Sequence, residues 1–319
     1  MHSLPVLDGL RAISILLVLA AHMLPLGPKE LQLNHAAGAM GMSLFFSLSG
    51  FLITRTLVKN GDLLQFFARR MARIVPAVFL YLAFISAIFT FSPELLIANL
   101  LFVSNYWQSQ LGPYTAHLWS LCVEVHFYAA IGLVVFCLGQ RGLWIVWPAC
   151  LFITALRVID GSYVAIMTHL RVDEILAGAC VATLYRDWNP RHYASIAVIF
   201  CAVFWLAASL PYSGPLQYFR PYGAAMVMAS SLYLGSNLIC RVLSSRPLKY
   251  IATVSYAAYI WHPLTVTGWL GEGGVIERYL LKRPISFALT FGAAHLSTFY
   301  WEQIWMKLAR SVGRTPVAR

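Results

Sequence analysis

"LDGLRAISILLVLAAHMLPLG", Leu7 to Gly27, decides the fold. A run of about 20 mostly apolar residues is long enough to cross a bilayer as a helix, and this stretch is such a run apart from two residues. Arg11 stands near its start and His22 lies deep within it. At about 100° per residue, the eleven steps between them return to within about 20° of one direction, and they rise about 16 Å. The two side chains therefore share a helix face. Ionisable groups are costly in hydrocarbon, so that face looks into the protein or a wet cavity. A plainer reading also fits the spacing: Arg11 snorkels to the inner headgroups and His22 caps the outer end.

The rest of the chain agrees with a membrane setting. Of 319 residues, 60% are hydrophobic and 11% charged, with mean hydropathy +0.70; a soluble domain carries about 25% charged residues. No long polar linker divides the chain, so residues 1–319 are expected to form a single integral-membrane domain with no fused soluble domain. Net charge is +11, but the basic residues fall mostly in short segments between apolar runs. That is the positive-inside pattern and not a nucleic-acid surface, so no nucleic-acid partner is expected. The six cysteines lie in or beside apolar runs without metal-ligand spacing, so they read as small core residues and no metal is expected. No small-residue cleavage site follows the first run, which reads as a retained span.

The sequence predicts an all-α polytopic membrane protein with about ten transmembrane helices, over 10–26, 36–58, 74–91, 117–138, 143–159, 172–185, 193–210, 222–240, 250–270 and 285–306. The apolar stretch 95–107 is too short to span and reads as an interfacial or re-entrant helix ending near Asn105. With both termini cytoplasmic, fourteen of the 23 Lys and Arg fall on the inner side and six on the outer; Arg11, Arg55 and Arg157 fall inside spans.

Six further segments place polar groups where lipid would reject them. "GMSLFFSLSGFLI" (41–53) offers a small-residue packing surface; a helix broken at Ser49-Gly50 would instead free backbone donors for a ligand. "FFARRMARIVPA" (66–77) clusters Arg69, Arg70 and Arg73, suited to anionic lipid and topology or to the phosphates of a cofactor. "HLWSLCVEVHFY" (117–128) sets His117, Ser120 and Glu124 on one helix face, as a structural network or a site. "LRVDEILAGACVA" (170–182) places Arg171, Asp173 and Glu174 at the outer mouth of a span. "SYAAYIWHPL" and "FYWEQIW" put His262 and Glu302 in or near spans, with Pro263 expected to interrupt the helix after His262. His295 reads as a core or interface histidine.

Taken in order, these blocks resemble the membrane acyltransferase type 3 family of bacterial O-acetylases and related O-acyltransferases. "LDGLRAISILLVLAAH" carries the Arg, ten residues, then His of that family, and "HLWSLCVEVHFY" resembles its His-x-Trp-Ser-Leu-x-x-Glu-x-x-Phe-Tyr block. The small-residue, basic, "RVDEILAGACVA" and "SYAAYIWHPL" segments resemble further blocks, and Glu302 falls where the family has a glutamate in its last span. His126 departs from the family's more usual polar amide.

The resemblance implies transfer of an acyl group, acetyl from acetyl-CoA or another acyl-CoA, to a hydroxyl of a glycan or other acceptor in the bacterial cytoplasmic membrane. His22 is then the expected base and Glu124 the group that orients it. Arg11, Arg69, Arg70, Arg73, Ser49 and Gly50 are expected at the CoA thioester, and Arg55, His117, Trp119, Ser120, Arg171, Asp173, His262 and Glu302 serve as substrate-binding or structural polar groups. Transfer in one step is preferred, and an acyl-histidine stays open. The competing class is a transporter or proton-coupled flippase with the buried His, Glu and Arg as a relay.

Overall fold

The computed structural model describes residues 4–107, 109, 111–185, 191 and 193–311. Among the described residues every regular element is helical. Helix α1, Pro5–Met23, opens with proline in its first turn, where the missing N–H is no loss. Helix α2, Leu33–Lys59, is followed by α3, Leu63–Ile88, whose first turn is capped by Asp62 accepting from the Gln65 amide at 3.0 Å. The short α4, Pro93–Leu100, is capped by Ser92. Helix α5, Trp119–Leu138, ends on Gly139, and α6, Val146–Asp160, ends on Gly161; both glycines take positive φ (64° and 73°). Then come α7, Asp173–Leu184; α8, Ala194–Ala207; α9, Arg220–Ser231; α10, Leu238–Leu243; α11, Arg246–Val266; α12, Arg283–Leu296; and α13, Gln303–Ser311.

Among the described residues, five helical stretches are long and apolar enough to cross a membrane: Pro5–Met23, Lys29–Lys59, Leu63–Ile88, Ala116–Leu138 and Gln140–Asp160. Large apolar side chains such as Phe136, Ile159 and Phe200 stand 72–82% exposed, as lipid-facing residues do. The chain is thus an all-α, multi-pass membrane protein.

Several boundaries differ from the sequence reading. The expected span 222–240 is two pieces, α9 and α10, separated where the Asn237 side chain caps the Cys240 amide at 2.8 Å. Helix α3 begins eleven residues before 74, so the arginine cluster is helical. Helix α4 is 8 residues long, about 12 Å, which is too short to span. Pro263 does not end α11, which continues to Val266. The last expected span lies in a continuous helical stretch in which two six-residue π-type segments, Glu277–Lys282 and Ser297–Glu302, flank α12. Arg186, Arg314 and Arg319, assigned to the inner side by charge, lie outside the described residues.

Helix α2 is the interior helix: 72% of its apolar window is buried, against 22% for the stretch that includes α6. Glycines let its neighbours approach. A Cβ at Gly50 would collide with the Ile175 carbonyl of α7, and one at Gly178 with the Ser47 carbonyl of α2. On another side, Gly41 meets Val18 and Ser14 of α1, and the Ser14 hydroxyl donates to the Gly41 carbonyl at 3.0 Å. Helix α11 packs against α1 as well, which brings His262 to His22.

Candidate active site

One face of α1 runs along four cavities. The first, about 290 Å³, is lined by Arg11, Arg55, Lys59, Arg70 and Arg73, with Asp8 its one carboxylate among the described residues. The second, about 40 Å³, holds Ser49, Glu124, Tyr128 and Tyr256, and shares Arg11, Leu52, Arg70 and Arg73 with the first. The third, about 10 Å³, lies among Ser14, Val18, Phe45 and Tyr259, with Arg11 and Phe45 in common with the second. The fourth, about 660 Å³, contains His22, His117, Trp119, Arg171 and His262, and shares Val18, Met42 and Tyr259 with the third. Positions 11, 14, 18 and 22 recur at three- and four-residue steps, which is why one helix face reaches all four.

Three imidazoles meet in the largest cavity. The ring centroids of His22 and His262 are 5.1 Å apart, and those of His262 and His117 are 5.5 Å apart. His22 Nδ1 lies 2.8 Å from the Val18 carbonyl, and His262 Nδ1 lies 2.7 Å from the Tyr259 carbonyl. A carbonyl only accepts, so each Nδ1 carries the proton and each neutral ring has its lone pair on Nε2. The Tyr259 carbonyl is free for this because Pro263, four residues on, has no N–H to offer it. His22 is exposed at the cavity, whereas His262 is buried. Neither ring nitrogen of His117 meets a hydrogen-bond partner among the described residues.

Glu124 is elsewhere. It is buried, accepts a hydrogen bond from the Ser49 hydroxyl, and lines the second cavity with Arg70 and Arg73. The His22–Glu124 pair expected from sequence is replaced: His22 has His262 as its neighbour, and Glu124 has Ser49. Seven residues, running from the 3-10 turn Ala116–Leu118 into α5, separate His117 from Glu124 by about 10 Å, enough to put them in different cavities.

The basic cluster divides by helical phase. Arg70 and Arg73, three apart, face the first two cavities, with Tyr128 and Tyr256 rings beneath their guanidiniums at 5.9 and 5.8 Å. Arg69 is exposed and lines none of the four. Arg55 packs 4.7 Å over Tyr185, and Arg11 pairs with Asp8 at 3.5 Å. Helix α2 runs unbroken through Ser49 and Gly50, so no backbone donors are freed there; Gly50 packs on α7.

The remaining predicted groups are structural contacts or cavity walls. Ser120 donates to the Tyr259 hydroxyl at 2.8 Å, and Tyr259 donates to the His117 carbonyl at 2.6 Å. Trp119 lines the largest cavity under the Arg171 guanidinium at 5.3 Å. Asp173 is buried against Arg157 at 2.5 Å. Glu302 accepts from Ser297, five residues earlier, at 3.0 Å, a spacing that the π-type turn brings together. His126 bonds Thr168 at 2.7 Å and lines none of the four cavities. Sequence reasoning missed Tyr259 and Tyr128; a tyrosine three residues before His262 on one helix face was the available signal for the first.

The fold and the site define a multi-pass helical membrane protein in which one face of α1 borders a cavity lined by three imidazoles and another lined by a cluster of basic side chains. The chain belongs to the acyltransferase 3 family, whose acyltransferase domain matches residues 4–302. It is 29% identical to "O-acetyltransferase OatA" of Staphylococcus aureus over 311 residues, covering 81% of this chain and 50% of that protein. It is 27% identical to "Peptidoglycan O-acetyltransferase OatA" of Listeria monocytogenes over 351 residues, covering 92% and 54%. It is also 25% identical to "Putative peptidoglycan O-acetyltransferase YrhL" of Bacillus subtilis, covering 81% and 48%. The chain spans about half the length of these curated relatives. No solved structure matches it.

Proposed function

We propose that this protein is an O-acetyltransferase that moves an acetyl group from acetyl-CoA to a hydroxyl of a glycan, with His22 as the base, in the bacterial cytoplasmic membrane. The reading rests on family membership, on the names of the relatives, and above all on one observation: cavities that share lining residues lie in succession along α1 between Arg70 and Arg73 and His22. In this reading both termini lie in the cytoplasm, with about ten membrane segments, the shorter helices included, and the basic cavity on the inner side.

In this reading the phosphates of CoA meet Arg11, Arg70 and Arg73, whose planar forks suit phosphate oxygens. The pantetheine arm follows the α1 face, and the thioester arrives in the imidazole cavity. The acceptor enters from the outer side. His22 Nε2 takes the hydroxyl proton as the oxygen attacks the thioester carbonyl. The new C–O bond forms, the C–S bond breaks, and the CoA thiolate recovers the proton from the imidazolium. The Val18 carbonyl, which accepts from His22 Nδ1, holds the ring in place, the role first expected of Glu124, and His262 packs against it with ring centroids 5.1 Å apart.

Purified protein in lipid nanodiscs, given radiolabelled acetyl-CoA and a panel of glycan acceptors, should form labelled ester, and His22→Ala should not. Acceptor or proton flux without turnover would replace this reading with a transporter.

A further inference from the structure

Behind the largest cavity lies a cluster of five charges. Arg157 pairs with Asp173 at 2.5 Å, Arg220 with Glu174 at 3.1 Å, and Arg171 with Glu174 at 3.2 Å, and no side chain in these pairs is more than 2% exposed. Three guanidiniums face two carboxylates, which leaves one positive charge in excess. Arg157 and Arg220 also donate to the Tyr163 carbonyl, at 2.9 and 3.1 Å. Arg171 has no such second anchor. It lines the cavity, and its Nη1 meets no hydrogen-bond partner among the described residues. A buried charge without a counter-charge is strongly unfavourable. No carboxylate among the described residues lines the cavity to supply one.

The missing charge has to come with a ligand. The acetyl thioester carries none at that end, and the CoA phosphates belong to the basic cavity. We propose that Arg171 anchors an anion subsite, and that the acceptor taken by this cavity is an acidic sugar whose carboxylate pairs with Arg171 while a hydroxyl is presented to His22. The inference rests on the acyl-transfer reading above. The indole of Trp119, on the same wall, lies beneath the guanidinium and holds it at the cavity surface. At about 660 Å³ the cavity has the size of a small-molecule site.

The test is calorimetric binding to the full chain in nanodiscs, using a glucuronic-acid disaccharide and its neutral methyl ester. Wild type should bind the acid about tenfold more tightly than the ester, as a charge-assisted pair gives, and more weakly as salt rises. Arg171→Gln leaves two guanidiniums against two carboxylates, a balanced cluster. It should lose the preference, binding acid and ester alike. Equal binding of acid and ester by wild type overturns the proposal and needs no variant. A fall in kcat that is the same for acid and ester, with binding unchanged, also overturns it and makes Arg171 a stabiliser of the reacting oxyanion instead. An Arg171-dependent preference in a protein that never turns over acetyl-CoA would sink the transfer reading and leave the subsite standing.

Discussion

The imidazoles of His22 and His262 face one another from α1 and α11, 5.1 Å apart, and each turns Nδ1 onto a carbonyl of its own helix. His22 opens to the cavity and His262 is buried behind it. This ordering separates their roles. His22→Gln should lower kcat by about 10²-fold or more, the ordinary contribution of a general base. His262→Gln keeps a polar neighbour and should cost about tenfold less. Single-turnover acetyl transfer by both variants, with size-exclusion profiles matching wild type, checks this. Equal losses would give the two rings equal parts in the chemistry.

Arg70 and Arg73 line the basic cavity and Arg69 does not. Arg70→Gln and Arg73→Gln should each raise the KM for acetyl-CoA by about tenfold, the loss of one charge-assisted contact. Arg69→Gln should leave it unchanged. A donor titration at fixed acceptor reads the difference; a uniform effect of all three would mean that they act only through the membrane surface.

Glu124 is bonded to Ser49 beside Arg70 and Arg73, not to an imidazole. Glu124→Gln should therefore act on donor KM and leave kcat within about threefold of wild type. An orienting partner of the base would instead cost about 10⁴-fold in kcat. Separate kcat and KM measurements decide between them.

At Gly50 an added methyl has no room against the Ile175 carbonyl, whereas at Gly292 nothing stands within 4 Å. Gly50→Ala should destabilise by about 1–3 kcal/mol through overpacking. Gly292→Ala, inside α12, should stabilise by about 0.5–1 kcal/mol through helix propensity. Thermal unfolding in one detergent compares them; a Gly50→Ala melting temperature equal to wild type would argue against the close α2–α7 crossing.

The path along α1 was legible because helical pitch is a local property: Arg11 and His22 needed only their spacing to share a face. The phase that separates Arg69 from Arg70 and Arg73 was equally available, but the cluster resembled an interhelical loop until the Asp62 cap showed where α3 starts. What meets His22 was not legible, since His262 lies 240 residues on and only the α1–α11 packing brings it near. Likewise, Glu124 needs a partner, but spacing along α5 does not say that Ser49 of α2 provides it. The split between α9 and α10 was hidden because a capped break of a few residues barely alters the hydropathy of a 19-residue window.

Pro263 carries no reactive group, yet it governs where a hydrogen atom rests. Because the proline ring leaves one backbone oxygen unclaimed beneath His262, the imidazole is held to a single tautomer. Had the proline stood one position earlier or later, a different oxygen would be vacated and that constraint would vanish. Proton placement at the centre of this protein is thus written by an imino acid that has no proton of its own to give.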